Sequence, residues 1–264
     1  MPIVSFMGRA ERRRQLKFDE MAVDKGLNLT ARDPRQLASL IRVLHEQVCD
    51  SVVAGSVSPL MTFLYENHSK TLKGISHIRL ACQRGCSHCC HGWVSATAPE
   101  VFHVVNGLVP ARLPTLREKI WTANTHTEDK SPEAREGIVW PCPLLEDHAC
   151  SVYETRPVMC RSAVSMDAQI CARSCLENSG ENIPTPPVYF ALSDGYTVAL
   201  ACALKKAGLQ HRAFEYNGAL KAAIGATDAE AQWLSGHTVF HSVIQDDDLL
   251  DDPWVRNLYA QVFA

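Results

Sequence analysis

Four cysteines stand within nine positions of this chain, from Cys82 to Cys90, and Gly85 among them lets the backbone turn. Five more cysteines follow, so that nine of the eleven in the 264-residue chain lie between positions 82 and 175. The nine are Cys82, Cys86, Cys89, Cys90, Cys142, Cys150, Cys160, Cys171 and Cys175. Clustering of this kind is typical of metal or redox sites and not of thiols scattered through a core. We therefore expect a metal-binding loop around which the rest of the chain folds.

The overall charge excludes some classes of partner. The chain has 26 lysines and arginines against 29 aspartates and glutamates, a formal net charge of -3 and a pI of about 6.4. This balance gives no bulk attraction to nucleic acid or to an anionic membrane. The first seven residues carry no basic side chain ahead of an apolar run, so we expect no secretory signal and a cytoplasmic location. In that reducing compartment a cysteine cluster favours metal or redox chemistry over disulfides.

Helical patterns precede the cysteine-rich segment. Asp33-Pro34 is an N-cap followed by proline in the first turn, and apolar residues then repeat at three- and four-residue steps. They are Leu37, Leu40, Ile41, Leu44, Val48 and Val52. Cys49 lies beside this stripe, so we expect it to be a small buried side chain and not a ligand. Ser58-Pro59 repeats the cap signal and predicts a second helix that runs toward Gly74.

Helices are also predicted after the first cysteines. Thr97 and Glu100 form a capping box ahead of an apolar run. Further helices are predicted at about 114–124, 188–206, 214–224, 228–234 and 254–263. Ser193-Asp194-Gly195 interrupts the nearly all-apolar stretch 188–206, which favours a buried core helix over a membrane span. One β-hairpin is predicted from the β-prone pieces 138–140 and 151–153, presenting Cys142 and Cys150.

The predicted fold class is mainly α. We expect a flexible basic tail at residues 1–18 and a single helical domain at residues 19–264. This domain is built around a cysteine-cluster core at about 80–176 and carries one small β-hairpin. The aspartates at 246–248 and 251–252 are expected to cap a helix and not to bind a cation.

The residue types at the cysteine loop determine which metals it could hold. Thiolates are soft ligands that select zinc or iron–sulfur clusters over magnesium or calcium. In Cys86-x-x-Cys89 the two intervening residues let both sulfurs reach one ion, and Cys82 adds a third donor upstream. Cys90 directly follows Cys89, and neighbouring side chains usually point apart. Cys90 is therefore expected to bind a second metal, to bridge, or to complete the site through an unusual backbone conformation.

The number of thiols exceeds what one site needs. Without Cys171 and Cys175 there are seven, against the four that one tetrahedral zinc or one cubane cluster requires. Either two metals are held, or some thiols have a supporting or redox role. Cys171 and Cys175 could join the set, as could His88 and His91. A zinc site without reactivity would stabilise the fold by on the order of 10 kcal/mol, and this interpretation stands beside a catalytic one.

Arg156 and Arg161 flank Cys160 in sequence. Guanidinium groups beside a thiolate site would neutralise its negative charge. Alternatively, they would pair with carboxylates such as Glu154. The sequence leaves both alternatives open.

Two known sequence patterns resemble the cysteine segment. Cys82-x-x-x-Cys86-x-x-Cys89 has the spacing with which radical S-adenosylmethionine enzymes hold a cubane cluster, but His88 replaces their common aromatic residue and no alternating strands and helices follow. The longer pattern resembles the YkgJ-type cysteine-cluster family of zinc- or iron-chelating proteins over about residues 80–165. It consists of C-x-x-x-C-x-x-C-C from Cys82, then P-C-P-L-L at 141–145, then C-S-V-Y-E-T-R-P-V-M-C-R at 150–161.

The second resemblance implies metal ligands. It assigns this role to Cys82, Cys86, Cys89, Cys90, Cys142, Cys150 and Cys160, and leaves Cys171 and Cys175 as additional candidates. A relative in this group, the flagellin lysine N-methylase, implies that such a cluster can serve a methyl-transferring enzyme.

We therefore expect a cytoplasmic protein that binds an iron–sulfur cluster or zinc through cysteines, in support of a modification reaction. One alternative is a non-catalytic, zinc-stapled binding module or metal store. Another is a radical S-adenosylmethionine enzyme. The sequence leaves open whether the chain is an enzyme. The expected partners are the metal ion or cluster and a protein or small-molecule substrate, without membrane or nucleic acid.

Overall fold

The computed structural model describes residues 33–83, 85–131, 134–135 and 137–264. The predicted tail at residues 1–18 lies outside the described residues, and the division into this tail and one domain stays a prediction. The described part of the chain is mainly helical, with two small two-stranded antiparallel sheets. This confirms the predicted mainly α fold class.

The helices are α1 Pro34–Ala54, α2 Ser58–Gly74, α3 Ala98–Asn106, α4 Leu113–Thr127, α5 Val158–Ser162, α6 Ala168–Glu177, α7 Pro187–Lys206, α8 Tyr216–Gly225, α9 Ala229–Leu234 and α10 Pro253–Phe263. Short 3₁₀ turns cover His88–His91, Pro110–Arg112 and Leu249–Asp251. The strands are β1 Ser95–Thr97, β2 Leu145–Glu146, β3 Ala149–Cys150 and β4 Ala213–Glu215. The sequence pattern does not predict α6, in which Cys171 is the one buried residue.

Helices α1 and α7 form the centre of the core. The side chains of Leu40, Ile41 and Leu44 on α1 are fully buried, and α7 packs along α1. By length and composition alone α7 could cross a membrane, but 61% of its apolar stretch is buried inside the fold. Within this fold α7 is therefore the core helix that the sequence predicts.

The ends of α1 follow their local sequence signals. Asp33 accepts a hydrogen bond from the backbone N–H of Arg35 at 2.9 Å, and Gly55 ends the helix with a φ of 66°. The prediction of a buried Cys49 is wrong, because this residue is exposed. Cys49 follows Val48 by one residue, and the helical rotation of about 100° turns it away from the buried stripe.

The predicted hairpin exists, but at other residues. Strand β2 pairs with β3, and neither of the predicted strand segments forms the hairpin. The connecting residues Asp147 and His148 have positive φ angles of 46° and 61°. A two-residue turn of this conformation matches the twist of antiparallel strands. Cys150 lies in the hairpin, whereas Cys142 precedes it.

A second sheet joins distant parts of the chain, because β1 pairs antiparallel with β4. The predicted helix at 214–224 consequently begins two residues later, at Tyr216. Glu215 caps this helix by accepting a hydrogen bond from the N–H of Gly218 at 2.7 Å. The N–H of Tyr216 donates to the carbonyl oxygen of Val94 at 3.0 Å. This pairing places Tyr216 beside the segment that follows the cysteine loop.

Candidate metal centre

The cysteine loop turns twice within a few residues. Gly85 adopts a φ of 88°, and the N–H of Cys86 donates to the carbonyl oxygen of Gln83 at 3.0 Å. The 3₁₀ turn His88–His91 follows directly. A 3₁₀ turn advances by about 120° per residue, so consecutive side chains do not point in opposite directions as they would in a strand. Cys89 and Cys90 both line the same cavity, and the three expectations for Cys90 stay predictions.

A cavity of about 580 Å³ lies at the centre of the cysteine-rich segment. Seven cysteines line it: Cys86, Cys89, Cys90, Cys142, Cys150, Cys160 and Cys175. Cys82 and Cys171 are not part of this lining. The cavity reaches the surface at Gln83, Tyr153 and Glu154, which are exposed. Thiols from four separate parts of the chain thus surround one space that solvent can enter.

Backbone hydrogen bonds join the loop to the segment before the hairpin. The N–H of Cys142 donates to the carbonyl oxygen of Cys90 at 2.7 Å, and that of Trp140 donates to His91 at 3.0 Å. The hairpin then returns the chain, so that Cys150 lies opposite Leu145. Cys142 and Cys150 are thereby brought to the Cys89-Cys90 pair, although some fifty residues of sequence separate them.

Glu100 positions the short helix α5, which carries Cys160. Its buried carboxylate accepts hydrogen bonds from the backbone N–H of Val158 at 2.8 Å and from the N–H and hydroxyl of Thr97 at 2.8 and 2.7 Å. The predicted capping box of Thr97 and Glu100 is present. The same carboxylate also caps the helix of Cys160, which the sequence does not indicate.

All eleven cysteines lie in the described part of the chain, and all are free thiols. Two of them stand apart from the cluster: Cys49 is exposed on α1, and Cys202 is buried in α7. Among the described residues, no three His, Cys, Asp or Glu side chains stand as a preformed ligand group for a metal ion. The histidines His88 and His91 do not line the cavity, whereas His148 of the hairpin turn does. The assignment of all nine cysteines as ligands therefore stays a prediction.

Burial keeps most of these thiols protonated. It raises the pKa of Cys142 to about 12, that of Cys160 well above its ordinary value, and that of Cys150 upward as well. The pKa of Cys89 is lowered instead, mainly because the Cys90 thiol donates a hydrogen bond to it. Thiols must lose their protons to bind a metal, so metal binding at this cavity would release protons to solvent.

Arg156 brings a positive charge to the cavity. It lines the cavity, its guanidinium lies 3.9 Å from the centre of the Tyr153 ring, and its charge lowers the pKa of Cys89. Its Nε atom is buried and has no hydrogen-bond partner in the part of the chain that the structure describes. Among the described residues it makes no ion pair with a carboxylate. Of the two alternatives for this arginine, the arrangement favours neutralisation of thiolates.

Arg161 has a different environment. Its Nε donates to the carbonyl oxygen of Arg156 at 2.9 Å, its Nη2 donates to that of Glu154, and its guanidinium lies 3.9 Å from the centre of the Tyr65 ring. These contacts hold the chain on either side of Cys160 in place. Arg161 therefore supports the backbone and does not face the thiols.

Tyr216 is a cavity residue that sequence reasoning misses. The residue is 4% exposed, it lines the cavity, and its hydroxyl has no hydrogen-bond partner among the described residues. An unpaired buried hydroxyl costs about 1–3 kcal/mol, so its retention points to a partner that the protein alone does not supply. No local signal marks this tyrosine, since the β1–β4 pairing alone brings it to the cysteines.

The donor set fits a thiolate-held metal. Soft sulfur ligands surround the cavity, Arg156 would offset their negative charge, and its Nε–H and the Tyr216 hydroxyl could donate to sulfur. Zinc and iron–sulfur clusters are the groups that such ligands select. The described site is therefore chemically suited to either.

One protein-family model matches the chain, over residues 81–176: CxxCxxCC, described as "Putative zinc- or iron-chelating domain". The match covers about a third of the chain and includes all nine candidate cysteines. It confirms, for this segment, the resemblance to the cysteine-cluster family and supports the binding of zinc or iron. No curated protein and no solved structure gives a match.

Proposed function

We propose that the cavity holds an iron–sulfur cluster and that this cluster acts on a substrate which enters from the surface. The candidate ligands are five partly buried cysteines of its lining: Cys89, Cys90, Cys142, Cys150 and Cys160. A bound cluster would supply electron transfer or a Lewis-acidic iron.

The size of the cavity that the cysteines line carries this proposal. A single tetrahedral ion with metal–sulfur bonds of about 2.3 Å holds its sulfurs about 3.8 Å apart. No three potential ligands among the described residues form such a group, whereas seven cysteines surround a cavity of about 580 Å³. Thiolates bound to different irons of one cluster stand further apart than thiolates bound to one ion. A space of this volume, lined by seven cysteines, therefore suits a cluster better than a single zinc ion.

Arg156 and Tyr216 have defined roles in this proposal. A cluster held by thiolates carries negative charge, which the guanidinium of Arg156 offsets. The buried Nε–H of Arg156 and the hydroxyl of Tyr216 donate to its sulfur atoms and so gain the partners that they lack. Hydrogen bonds to sulfur are among the factors that set the reduction potential of a cluster.

The residues that line the cavity support a site that takes part in a reaction, in contrast to a purely structural one. Apolar side chains of Trp93, Val94, Leu144 and Met159 line it beside the cysteines, and its mouth is open at Tyr153. A purely structural site has no need of an open apolar space next to its thiols. We propose an organic substrate, on a protein or a small molecule, in a cytoplasmic modification reaction. The methyl transfer implied by the family resemblance is one such reaction.

A zinc site is the second candidate. The observation in its favour lies on α6, where the sulfurs of Cys171 and Cys175 are 4.0 Å apart. That distance is close to the spacing of two ligands on one zinc ion. Neither of these two cysteines is among the five candidate ligands of the iron–sulfur cluster.

Anaerobic purification followed by iron, sulfide and zinc analysis and an absorption spectrum tests the proposal. We expect a brown protein that contains iron and acid-labile sulfide. The variant Cys160→Ser should lose both, while Cys49→Ser, which changes an exposed cysteine on α1, should keep both. A colourless wild-type protein that holds zinc without sulfide would overturn the proposed cluster.

A further inference from the structure

A second cavity, of about 480 Å³, opens on the surface next to the cysteine cavity. It lies between helix α2, helix α3 and residues of the segment 154–161, and we call it the polar groove. All of its lining residues except Met61 carry a polar or charged side chain. Glu154 lines both cavities, so the polar groove begins where the cysteine cavity reaches the surface.

Helix α2 supplies one side of the polar groove. Tyr65, Ser69 and Lys73 stand four residues apart, and side chains at this spacing lie on one face of a helix. Glu66 and Lys70 lie in the neighbouring row of the same helix. Tyr65 is buried, whereas Lys73 is exposed. The groove thus combines a buried aromatic residue with charged residues at the surface.

The guanidinium of Arg161 is held in place within the polar groove. Its Nε donates to the carbonyl oxygen of Arg156 at 2.9 Å, and its central carbon lies 3.9 Å from the centre of the Tyr65 ring. Tyr65 is fixed in turn, because its hydroxyl donates to the carbonyl oxygen of Thr155 at 3.2 Å and its ring packs edge-on against His103. Little side-chain entropy therefore remains for Arg161 to lose when a ligand binds.

The positive charge of Arg161 has no carboxylate partner. The residue is half-buried, and it forms no ion pair within the described part of the chain. Removing a cation from water without a counter-ion costs free energy. The proposed iron–sulfur cluster does not offset this cost, since Arg161 does not line the cysteine cavity. An anion in the polar groove is the partner that would.

The other charged residues of the groove also favour an anion. Lys73, in the last turn of α2, forms no ion pair with any residue that the structure describes. Lys70 brings a third positive charge to the lining, and two carboxylates, Glu66 and Glu154, oppose these charges. Both carboxylates are exposed, so water and salt screen them more strongly than the half-buried Arg161.

We propose that the polar groove binds an oxyanion, the carboxylate or phosphate group of an organic substrate. The terminal nitrogens of Arg161 donate to two oxygens of this group, and the ammonium of Lys73 adds a second positive charge beside it. The inference rests on the proposed function in one respect, namely that the remainder of the substrate passes Glu154 and enters the cysteine cavity. It narrows the substrate to an organic acid or a phosphate ester.

Isothermal titration calorimetry of the protein as purified tests the site. The probes are sodium phosphate and, in a separate titration, sodium succinate, each at constant ionic strength maintained with sodium chloride. We expect saturable binding of one or both probes, and the tighter of the two identifies the group that the groove takes.

Two substitutions on α2 should change the affinity in opposite directions. Lys73→Gln removes a cation and should weaken binding by about three- to fivefold, whereas Glu66→Gln removes an opposing carboxylate and should strengthen it by a similar factor. Both residues are exposed, and thermal unfolding checks that each variant is folded. Lys205→Gln is the matched control, because Lys205 is exposed in the last turn of α7 and lies outside the groove. It should bind the probes as the wild-type protein does.

The outcomes separate this inference from the proposed cluster. Absence of saturable binding for both probes, or affinities of Lys73→Gln and Glu66→Gln equal to that of the wild-type protein, overturns the anion site. A gain in affinity does not arise from misfolding, so Glu66→Gln tests the site even if Lys73→Gln is poorly folded. Iron and sulfide are measured in the same preparations. Anion binding by protein that lacks iron overturns the cluster alone, and iron-loaded protein that binds neither probe overturns the anion site alone.

Discussion

The carboxylate of Glu100 accepts a hydrogen bond from the backbone N–H of Val158 at 2.8 Å, across 58 positions of sequence. Its other oxygen caps its own helix through Thr97. One buried side chain therefore ties the β1–α3 corner to the helix that carries Cys160. The fold therefore holds this candidate ligand in place without a metal, which would reduce the entropy that metal binding must remove.

Replacing Glu100 with glutamine tests this connection. A glutamine oxygen can serve one of the two helix starts, but the amide NH₂ then faces an N–H donor at the other. Hydrogen bonds to charged groups contribute about 1.5–3 kcal/mol, so we expect Glu100→Gln to lower the free energy of unfolding by about 2 kcal/mol and to weaken metal retention. Chemical denaturation and metal analysis measure the two effects. Glu118→Gln, at an exposed position on α4, should change neither; an equal loss there would contradict the assigned role.

Gly85 gives a second test, because its conformation and not its surroundings requires glycine. Its φ is 88°, yet an added Cβ would meet no atom within 4 Å. A residue with a Cβ costs roughly 1–2 kcal/mol in this left-handed region. We expect Gly85→Ala to destabilise the protein by that amount and to slow metal uptake, since Cys82 and Cys86 lie on either side of the turn.

Gly74 at the end of α2 provides the matched control. It also has open space around a hypothetical Cβ, but its φ is not in the left-handed region. We expect Gly74→Ala to leave stability and metal uptake unchanged or slightly improved. Thermal unfolding and metal-uptake kinetics of the two variants make the comparison, and similar losses in both would refute the conformational explanation.

Tyr216→Phe should have opposite effects on the metal-free and loaded protein. In the metal-free protein no described residue is a hydrogen-bond partner of the buried hydroxyl, so its removal should raise the free energy of unfolding by about 1 kcal/mol. If the hydroxyl donates to a bound cluster as proposed, its removal should lower the stability of the loaded protein and shift the reduction potential of the cluster. Thermal unfolding of both forms and a redox titration measure these changes. A variant that gains stability equally in both forms would show that the hydroxyl does not contact the metal group.

The buried side chain of His68 makes the free energy of unfolding depend on pH. It is fully buried on α2, and its ring packs edge-on against Tyr196 with centroids 5.1 Å apart. Burial, together with the charges of Arg161 and Arg156, lowers its pKa from 6.5 to about 4. The unfolded chain therefore binds a proton at His68 at a higher pH than the folded chain does. Above pH 6.5 His68 is neutral in both states and the free energy of unfolding is at its full value. As the pH falls from 6.5 toward about 4, the free energy of unfolding decreases by on the order of 3 kcal/mol.

His68→Phe keeps the edge-on ring contact and removes the titrating group. We expect the wild-type protein to lose more stability than the variant between pH 7 and pH 4.5, in urea unfolding at matched ionic strength. Protonation of thiols and loss of metal affect both proteins alike, so the difference between them isolates His68. Parallel pH profiles for the two proteins would show that His68 is not the group responsible.

Local signals in the sequence predict most of the helices correctly. Asp33 caps α1 and Thr97 with Glu100 caps α3, because a cap depends on side chains within three or four residues of the helix start. The apolar stretch 188–206 becomes the core helix α7 for a similar reason, since its composition leaves little to expose. The hairpin is displaced because the positive φ angles of Asp147 and His148, and not β propensity, determine where the chain reverses.

The sequence by itself determined that this is a mainly helical protein with a cysteine-rich metal-chelating segment, because helix periodicity and cysteine spacing are properties of neighbouring residues. Tertiary structure alone decided which thiols share a cavity. It set Cys142 against Cys90 through a backbone hydrogen bond, placed α6 beside Cys82, and brought Tyr216 in through the β1–β4 pairing. These contacts join residues far apart in the chain, and no periodicity encodes them, since they depend on how the helices pack once a common core forms.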